Sequence, residues 1–157
     1  MVCAMPNKKT NERNCLHFIF RVRAMREKLL LSHLKCGTAI NCIEVRFHLP
    51  VIRWMKDALQ LDFVDILSEP GVVKILSNGT ETEIECIRSK TCGSIESHGS
   101  DIIAVVGHDN CSANPASHQE QLRQIKKAKQ VVRDWNLPVE VVGLWVGKNY
   151  QVENVDF

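Results

Sequence analysis

Two stretches decide how this chain folds: Ile102-Ile103-Ala104-Val105-Val106-Gly107, followed by His108-Asp109-Asn110-Cys111, and Thr38-Ala39-Ile40-Asn41, followed by Cys42-Ile43-Glu44-Val45-Arg46. Each begins with an apolar, β-prone run, which is the pattern of a buried parallel strand. In both stretches, residues that carry chemistry come directly after the run. Ligands of open parallel sheets bind at the carboxyl ends of the strands. If both runs belong to one sheet, two thiols and one imidazole meet at one edge of it.

These side chains are ligands of the kind that zinc prefers. Cys42, His108 and Cys111 offer two sulfur atoms and one nitrogen atom, and soft ligands in that number suit zinc. Three protein ligands leave a fourth position open, which distinguishes a catalytic zinc from a structural one. The sequence therefore predicts a zinc site at this edge.

The chain after residue 37 alternates strands with helices. Apolar runs predict four strands, at Thr38–Asn41, Phe63–Leu67, Ile102–Val106 and Val139–Val146. Helical periodicity and helix-start signals predict three helices between them, which begin at Leu49-Pro50, at the capping box Thr80/Glu83 and at the capping box Ser117/Glu120. The segment Val72–Leu76 is apolar and of undecided type, and Gly99 ends the second helix. This alternation implies right-handed βαβ units and a parallel sheet of four strands.

Charge is distributed unevenly along the 157 residues. Residues 1–35 hold eight Lys/Arg against two acidic residues, whereas the other 122 hold twelve against sixteen. We therefore divide the chain into a basic N-terminal extension at 1–35, helical from Phe18 to Leu34 or poorly ordered, and one folded zinc domain at 36–157. The mildly acidic domain, with one tyrosine and three tryptophans in the chain, argues against a nucleic-acid partner.

The cysteines indicate a reducing compartment. Seven cysteines, an odd number, without a secretion signal argue against a disulfide framework. We therefore expect a cytoplasmic protein. No apolar stretch reaches the length of a membrane span, so we expect no membrane association.

The two stretches resemble motifs of the β-class carbonic anhydrases. That family carries a strand-ending Cys-x-Asp-x-Arg and a later His-x-x-Cys, and here Cys42-x-Glu44-x-Arg46 and His108-x-x-Cys111 stand in that order. The chain is similar in particular to small, compact bacterial members. The resemblance covers roughly residues 38–155 and includes Pro50–Ile52, Val64–Ile66, Glu69–Gly71, Val105–His108 and Gly143–Trp145-Val146.

The resemblance implies a fold and a reaction. The fold would be an α/β three-layer sandwich around a central, mostly parallel sheet of four strands. Cys42, His108 and Cys111 would bind Zn²⁺, and zinc-bound hydroxide would hydrate CO2 reversibly to bicarbonate. Glu44 and Arg46 would be the catalytic carboxylate and the arginine that holds it in a bidentate pair. A homodimer is also implied.

Glu44 stands where the family has Asp, and this leaves two outcomes open. The longer carboxylate either pairs with Arg46, or it reaches the zinc and closes the site, which would give a non-catalytic zinc module. Val45 also occupies a turn position where compact relatives often have glycine. A third hypothesis, a metal-free nucleotide-type binder, lacks a glycine-rich phosphate loop in the sequence.

Other residues near the predicted edge have plainer interpretations beside functional ones. His48 and His118 are either proton shuttles or solvated loop residues. Glu69 either braces the site or is only a turn residue. Asn110 and Asn114 either donate hydrogen bonds near the metal or serve as loop amides. Cys86 and Cys92 read as core residues of a helix. Three lysines, Lys126, Lys127 and Lys129, read as a solvated helix face.

Overall fold

The structure of the protein, a computed structural model, describes residues 34–155. The helix predicted from Phe18 falls outside them except for Leu34, which is not helical. Across the described range, no helix is long and apolar enough to cross a membrane.

Within residues 34–155 the chain forms five strands and four helices. The strands are β1 (Cys36–Asn41), β2 (Phe63–Ser68), β3 (Ser100–His108), β4 (Glu140–Val146) and β5 (Val152–Asn154). The helices are α1 (His48–Ala58), α2 (Val72–Asn78), α3 (Glu81–His98) and α4 (His118–Arg133), and a short 3-10 helix, Val45–Phe47, precedes α1.

The sheet has the strand order β2-β1-β3-β4-β5. The first four strands pair in parallel, as predicted. The prediction of a four-stranded sheet was wrong, because β5 pairs antiparallel with β4 and makes the sheet mixed. A tight turn reverses the chain between them, with the Tyr150 N–H donating to the Gly147 carbonyl at 3.0 Å. A strand of three residues is too short to show the alternation that identifies longer strands.

The helix boundaries follow the predicted signals, and the structure adds one helix that the sequence left undecided. Thr80 and Glu83 form both halves of a capping box, and Gly99, at φ 65°, ends α3. Ser117 caps α4 by accepting from the Glu120 N–H, but the Glu120 carboxylate pairs with Arg123 instead of closing a box. The undecided segment is helical and forms α2, which begins at Val72 directly after Gly71.

Helices cover both faces of the sheet, which is consistent with the expected layers. Alternate strand residues point to opposite faces: Ile40, Ile103 and Val105 pack with α2, α3 and α4, whereas Ala39 and Ala104 pack on the opposite face with α1. Lys129 corrects the predicted solvated face of α4, because it is 3% exposed and passes over Gly143.

The strand order creates a switch point between β1 and β3. From β1 the chain moves outward to β2 and then returns to β3 on the other side of β1. Helix connections therefore leave in opposite directions at the carboxyl ends of β1 and β3, which opens a crevice where ligands of such sheets bind. The two predicted motifs lie at this crevice.

Candidate metal centre

Two adjacent parallel strands bring the three predicted metal ligands together. Cys42 follows β1, His108 is the last residue of β3, and Cys111 lies in the loop after it. Their ligand atoms all lie within 4.8 Å of one another, and the two sulfur atoms are 3.8 Å apart. All three residues are buried.

His108 is oriented so that one ring nitrogen is left for a ligand. Its Nδ1 lies 2.9 Å from the Asp109 carbonyl oxygen. Because a carbonyl only accepts, we assign the proton to Nδ1, which leaves the lone pair on Nε2. Nε2 is buried and has no hydrogen-bond partner among the described residues. The Phe47 ring stacks on the imidazole with centroids 4.2 Å apart and fixes its plane.

The Cys42 sulfur sits in a cradle of donors. Burial opposes ionisation of the thiol, but the adjacent His108 side chain and hydrogen bonds from the Gly71 and Glu44 backbone N–H groups prevail and lower its pKa to about 6. The Gly71 nitrogen lies 3.4 Å from the sulfur.

This contact requires glycine at position 71. Gly71 has φ 59°, and a Cβ there would lie 3.0 Å from the Ala113 carbonyl oxygen. The Pro70-Gly71 turn therefore brings the end of β2 close to both cysteine loops.

The pKa of Cys111 shifts in the opposite direction to that of Cys42. Burial, followed by the neighbouring Cys42 sulfur, raises the pKa of the Cys111 thiol, although backbone N–H groups of Ala113 and Asn114 partly oppose the rise. Two adjacent thiolates repel each other in the protein alone, whereas a cation between them stabilises both. Two sulfurs and a partnerless imidazole nitrogen are therefore a donor set that fits zinc.

Glu44 and Arg46 form a bidentate ion pair beside these ligands. Arg46 Nε lies 3.0 Å from Glu44 Oε1, and Nη2 lies 3.0 Å from Oε2. The hydrogen bond from Arg46 lowers the pKa of the Glu44 carboxyl. Glu44 also caps the 3-10 helix through the Arg46 N–H.

Val45 does not carry the backbone strain that glycine in relatives suggested. The non-glycine residues of positive φ in the described range are Gln60, Asn110, Asn136 and Tyr150. Val45 begins the 3-10 helix instead, and the residue is 72% exposed.

An open pocket of about 710 Å³ adjoins the cluster. Cys111 lies in its wall, and the Arg46 and Phe47 side chains line it from the 3-10 helix. Asn110, His118, Lys148 and Tyr150 line other parts. A small molecule can therefore reach the neighbourhood of Cys111 from solvent.

The structure places the remaining predicted residues around, rather than in, the ligand cluster. His48 begins α1, and its Nε2 lies 2.7 Å from the Cys42 carbonyl oxygen. His118 begins α4 and packs on Trp145, with centroids 4.6 Å apart. Glu69 pairs with Lys90. Its backbone N–H donates to the Asn41 carbonyl at 3.1 Å.

The asparagines of the His108–Cys111 loop serve different purposes. Asn110 adopts φ 52° at the loop bend, a conformation that asparagine tolerates better than most residues. Asn114 is buried and donates to Gln124 Oε1 at 2.6 Å, which ties the loop to α4.

Sequence reasoning missed Phe47, the Gly71 N–H and Tyr150. Phe47 and Tyr150 reach the site through tertiary contacts, 5.7 Å apart between ring centroids, and no local motif marks such contacts. Gly71 closely follows Glu69, which was expected near this edge, and a Pro-Gly pair signals a turn, but no pattern shows that the Gly71 N–H meets a sulfur.

Comparison with known families agrees with this geometry. Residues 32–156 match the family described as "Putative carbonic anhydrase". The chain belongs to this family. The match includes all three candidate ligands and the Glu44–Arg46 pair. None of the curated proteins matches the chain.

Proposed function

We propose that the protein is a zinc-dependent lyase of the carbonic anhydrase type that hydrates CO2 reversibly to bicarbonate. The observation that carries the proposal is the convergence of Cys42, His108 and Cys111 within 4.8 Å, in a chain of a carbonic anhydrase family. Zinc with three protein ligands and an open fourth position is the arrangement of catalytic zinc sites.

The proposed metal ligands are Cys42 Sγ, Cys111 Sγ and His108 Nε2. A zinc ion held there would supply hydroxide near neutral pH, the nucleophile needed for hydration of CO2. The hydrogen bond from His108 Nδ1 to the Asp109 carbonyl fixes the ring orientation, and such second contacts of a ligand tune metal affinity.

Glu44 and Arg46 have the proposed task of orienting the nucleophile. A carboxylate with both oxygens on a guanidinium keeps lone pairs for one further hydrogen bond. Glu44 would accept that bond from the nucleophile and so direct its lone pair toward CO2. Arg46 would hold the carboxylate in place while this occurs.

A non-catalytic zinc module is the second candidate, and the length of Glu44 favours it. The extra methylene, relative to aspartate, gives the carboxylate enough reach to approach the metal. Its observed bidentate pairing with Arg46 supports the open site instead. Replacing Glu44 by Asp separates the two, since only a closed site gains hydratase activity from the shorter side chain.

We also propose that the folded domain at 36–157 forms a homodimer in the cytoplasm. Ile43, Val45 and Leu49, beside the site, are exposed apolar residues, and a partner subunit would cover them. The five described cysteines are not joined to one another in disulfides, which suits a reducing compartment. Sedimentation of the purified protein tests the oligomeric state, and a monomer at micromolar concentration contradicts it.

The function is tested by measuring zinc content and CO2 hydration on one sample. We expect one zinc per chain, hydration that chelation abolishes and zinc restores, and loss of both in Cys42→Ala. Cys86→Ala, a thiol replacement on α3, is the matched control and should retain both. Full hydration by metal-free protein would contradict the proposal, and stoichiometric zinc without hydration would favour the non-catalytic module.

A further inference from the structure

Tyr150, the one tyrosine of the chain, lies at the site in an unusual backbone conformation. It ends the turn between β4 and β5 with φ 61°. Left-handed backbone is uncommon for a bulky aromatic residue and marks a turn, strain or function. The turn holds it there, because the Tyr150 N–H donates to the Gly147 carbonyl at 3.0 Å.

This conformation places the Tyr150 ring in an aromatic contact chain that leads to the metal ligands. The ring lies 5.7 Å from that of Phe47, tilted by 46°. Phe47 in turn stacks on His108 at 4.2 Å. The Arg46 guanidinium carbon lies 5.6 Å from the Phe47 centroid, and all three of Arg46, Phe47 and Tyr150 line the same pocket.

Arg46 needs such support. Its side chain is 51% exposed and that of Glu44 is 31% exposed. Ion pairs this open to water contribute little by themselves, since ordering two long side chains costs entropy and water screens the charges. Packing of the guanidinium against aromatic rings adds the interaction that keeps one geometry populated.

We propose that Tyr150 is a positioning residue whose ring, packed on Phe47, holds Arg46 on Glu44 and so keeps the Glu44 carboxylate off the metal. This inference rests on the proposed zinc site. The longer carboxylate at position 44 makes the restraint necessary, because a released glutamate reaches further than an aspartate. The β4–β5 turn thereby determines whether the fourth metal position is open to small molecules.

The test uses Co²⁺-loaded full-length protein and azide, whose binding changes the visible spectrum of the metal. Tyr150→Asn removes the ring and keeps a residue that tolerates positive φ. If the open fraction of sites falls to about a tenth, the apparent azide affinity falls about tenfold. Tyr150→Phe keeps the ring and should bind azide within about twofold of the parent protein.

Two further variants separate positioning from general disruption of the turn. Gln151→Ala changes an exposed side chain of the same turn and should leave azide affinity unaltered. In the double variant Tyr150→Asn/Glu44→Gln, the side chain at 44 is a poorer metal ligand, so azide affinity should return toward the parent value.

Each outcome decides the matter. Unchanged azide affinity in Tyr150→Asn, a phenylalanine variant as weak as the asparagine variant, or no recovery in the double variant would each overturn the inference and leave the zinc proposal standing. If the parent protein binds no cobalt, or if azide does not change its cobalt spectrum, the inference and the open zinc site are both overturned.

Discussion

Two polar clusters lie toward opposite ends of the same parallel strands, and they differ in how their hydrogen bonds are satisfied. Toward the amino ends, Thr38 Oγ1 lies 2.8 Å from Ser94 Oγ and 2.6 Å from Ser100 Oγ. Ser94 donates to Asp65, which also pairs with His98 at 2.6 Å. We call these five residues the hydroxyl network.

At the carboxyl ends, some buried polar groups lack hydrogen-bond partners. Among residues 34–155, the buried Nε2 of His108 and Nδ2 of Asn41 have no hydrogen-bond partner, and two thiols of shifted pKa lie 3.8 Å apart. Buried polar groups are normally paired, and exceptions call for a ligand or a functional reason. The hydroxyl network is complete without a ligand, whereas the cluster at the carboxyl ends has polar atoms that a bound ligand would satisfy.

The largest expected effect comes from removing a ligand at the open end. His108→Ala should lose zinc and lower CO2 hydration by more than about a hundredfold, since even residues that only orient ligands contribute about 10–100-fold. His98→Ala removes the imidazole of the hydroxyl network and should retain zinc and activity. Zinc content is measured by atomic absorption. Equal loss of zinc in both variants would contradict the claim that only the cluster at the carboxyl ends binds the metal.

Arg46→Ala should separate orientation from metal binding. Because misplacement of a reacting group by about an ångström costs on the order of a hundredfold, we expect hydration to fall about that much at unchanged zinc content. Lys90→Ala, which breaks the Glu69–Lys90 ion pair, is the control. Hydration within about twofold of the parent in Arg46→Ala would mean that the Glu44–Arg46 pair has no catalytic task.

Two glycines of positive φ allow a matched test of the Cys42 cradle. Gly71 has φ 59° at the open end, and Gly99 has φ 65° at the end of α3. Alanine at either position should cost about 1–2 kcal/mol of unfolding free energy. Only Gly71→Ala should also weaken zinc binding, by about tenfold. Competition with a chelator measures the affinities, and an equal change in both variants would show that strain alone is responsible.

Ser94→Ala should affect stability alone. The substitution leaves buried partners in the hydroxyl network without a hydrogen bond, at a cost of about 1–3 kcal/mol. Urea unfolding measures the loss, and zinc affinity should not change. Weaker zinc binding in Ser94→Ala would show that the two clusters are coupled through the sheet.

The smallest effect concerns pH and a site outside both clusters. Hydrogen bonds from the Thr80 backbone and hydroxyl lower the pKa of Glu83 below its usual range. A carboxyl whose pKa is lower in the folded state stabilises the fold above its unfolded value, and this contribution disappears as pH falls through the folded value. Thr80→Ala should therefore be less stable than the parent near neutral pH, because it loses the helix cap, and the difference should shrink in acid. A difference that stays constant from pH 7 to pH 2 would contradict this assignment.

Much of the open cluster could be predicted from sequence, because it depends on strand ends. A buried run followed by Cys42, and another followed by His108 and Cys111, meet once the strands are parallel and adjacent, as they are. The hydroxyl network was not predicted, since single Ser, Thr and Asp residues on strands and a helix carry no motif. β5 and the burial of Lys129 were missed because both depend on tertiary packing.

The outcome at Glu44 also lay beyond the sequence. Both the pairing with Arg46 and the approach to the metal are compatible with its length, and the choice between them depends on Phe47 and Tyr150. These rings come from different elements, and Tyr150 reaches the site through a turn whose positive φ is not typical of tyrosine.

X-ray absorption at the zinc edge of the loaded protein tests the central claim most directly, namely that the cluster at the carboxyl ends is a zinc site with two sulfur ligands. We expect two sulfur ligands at about 2.3 Å and two nitrogen or oxygen ligands at about 2.0–2.1 Å, with one sulfur lost in Cys111→Ser. Three or four sulfur ligands, or a spectrum that Cys111→Ser does not alter, would contradict the account.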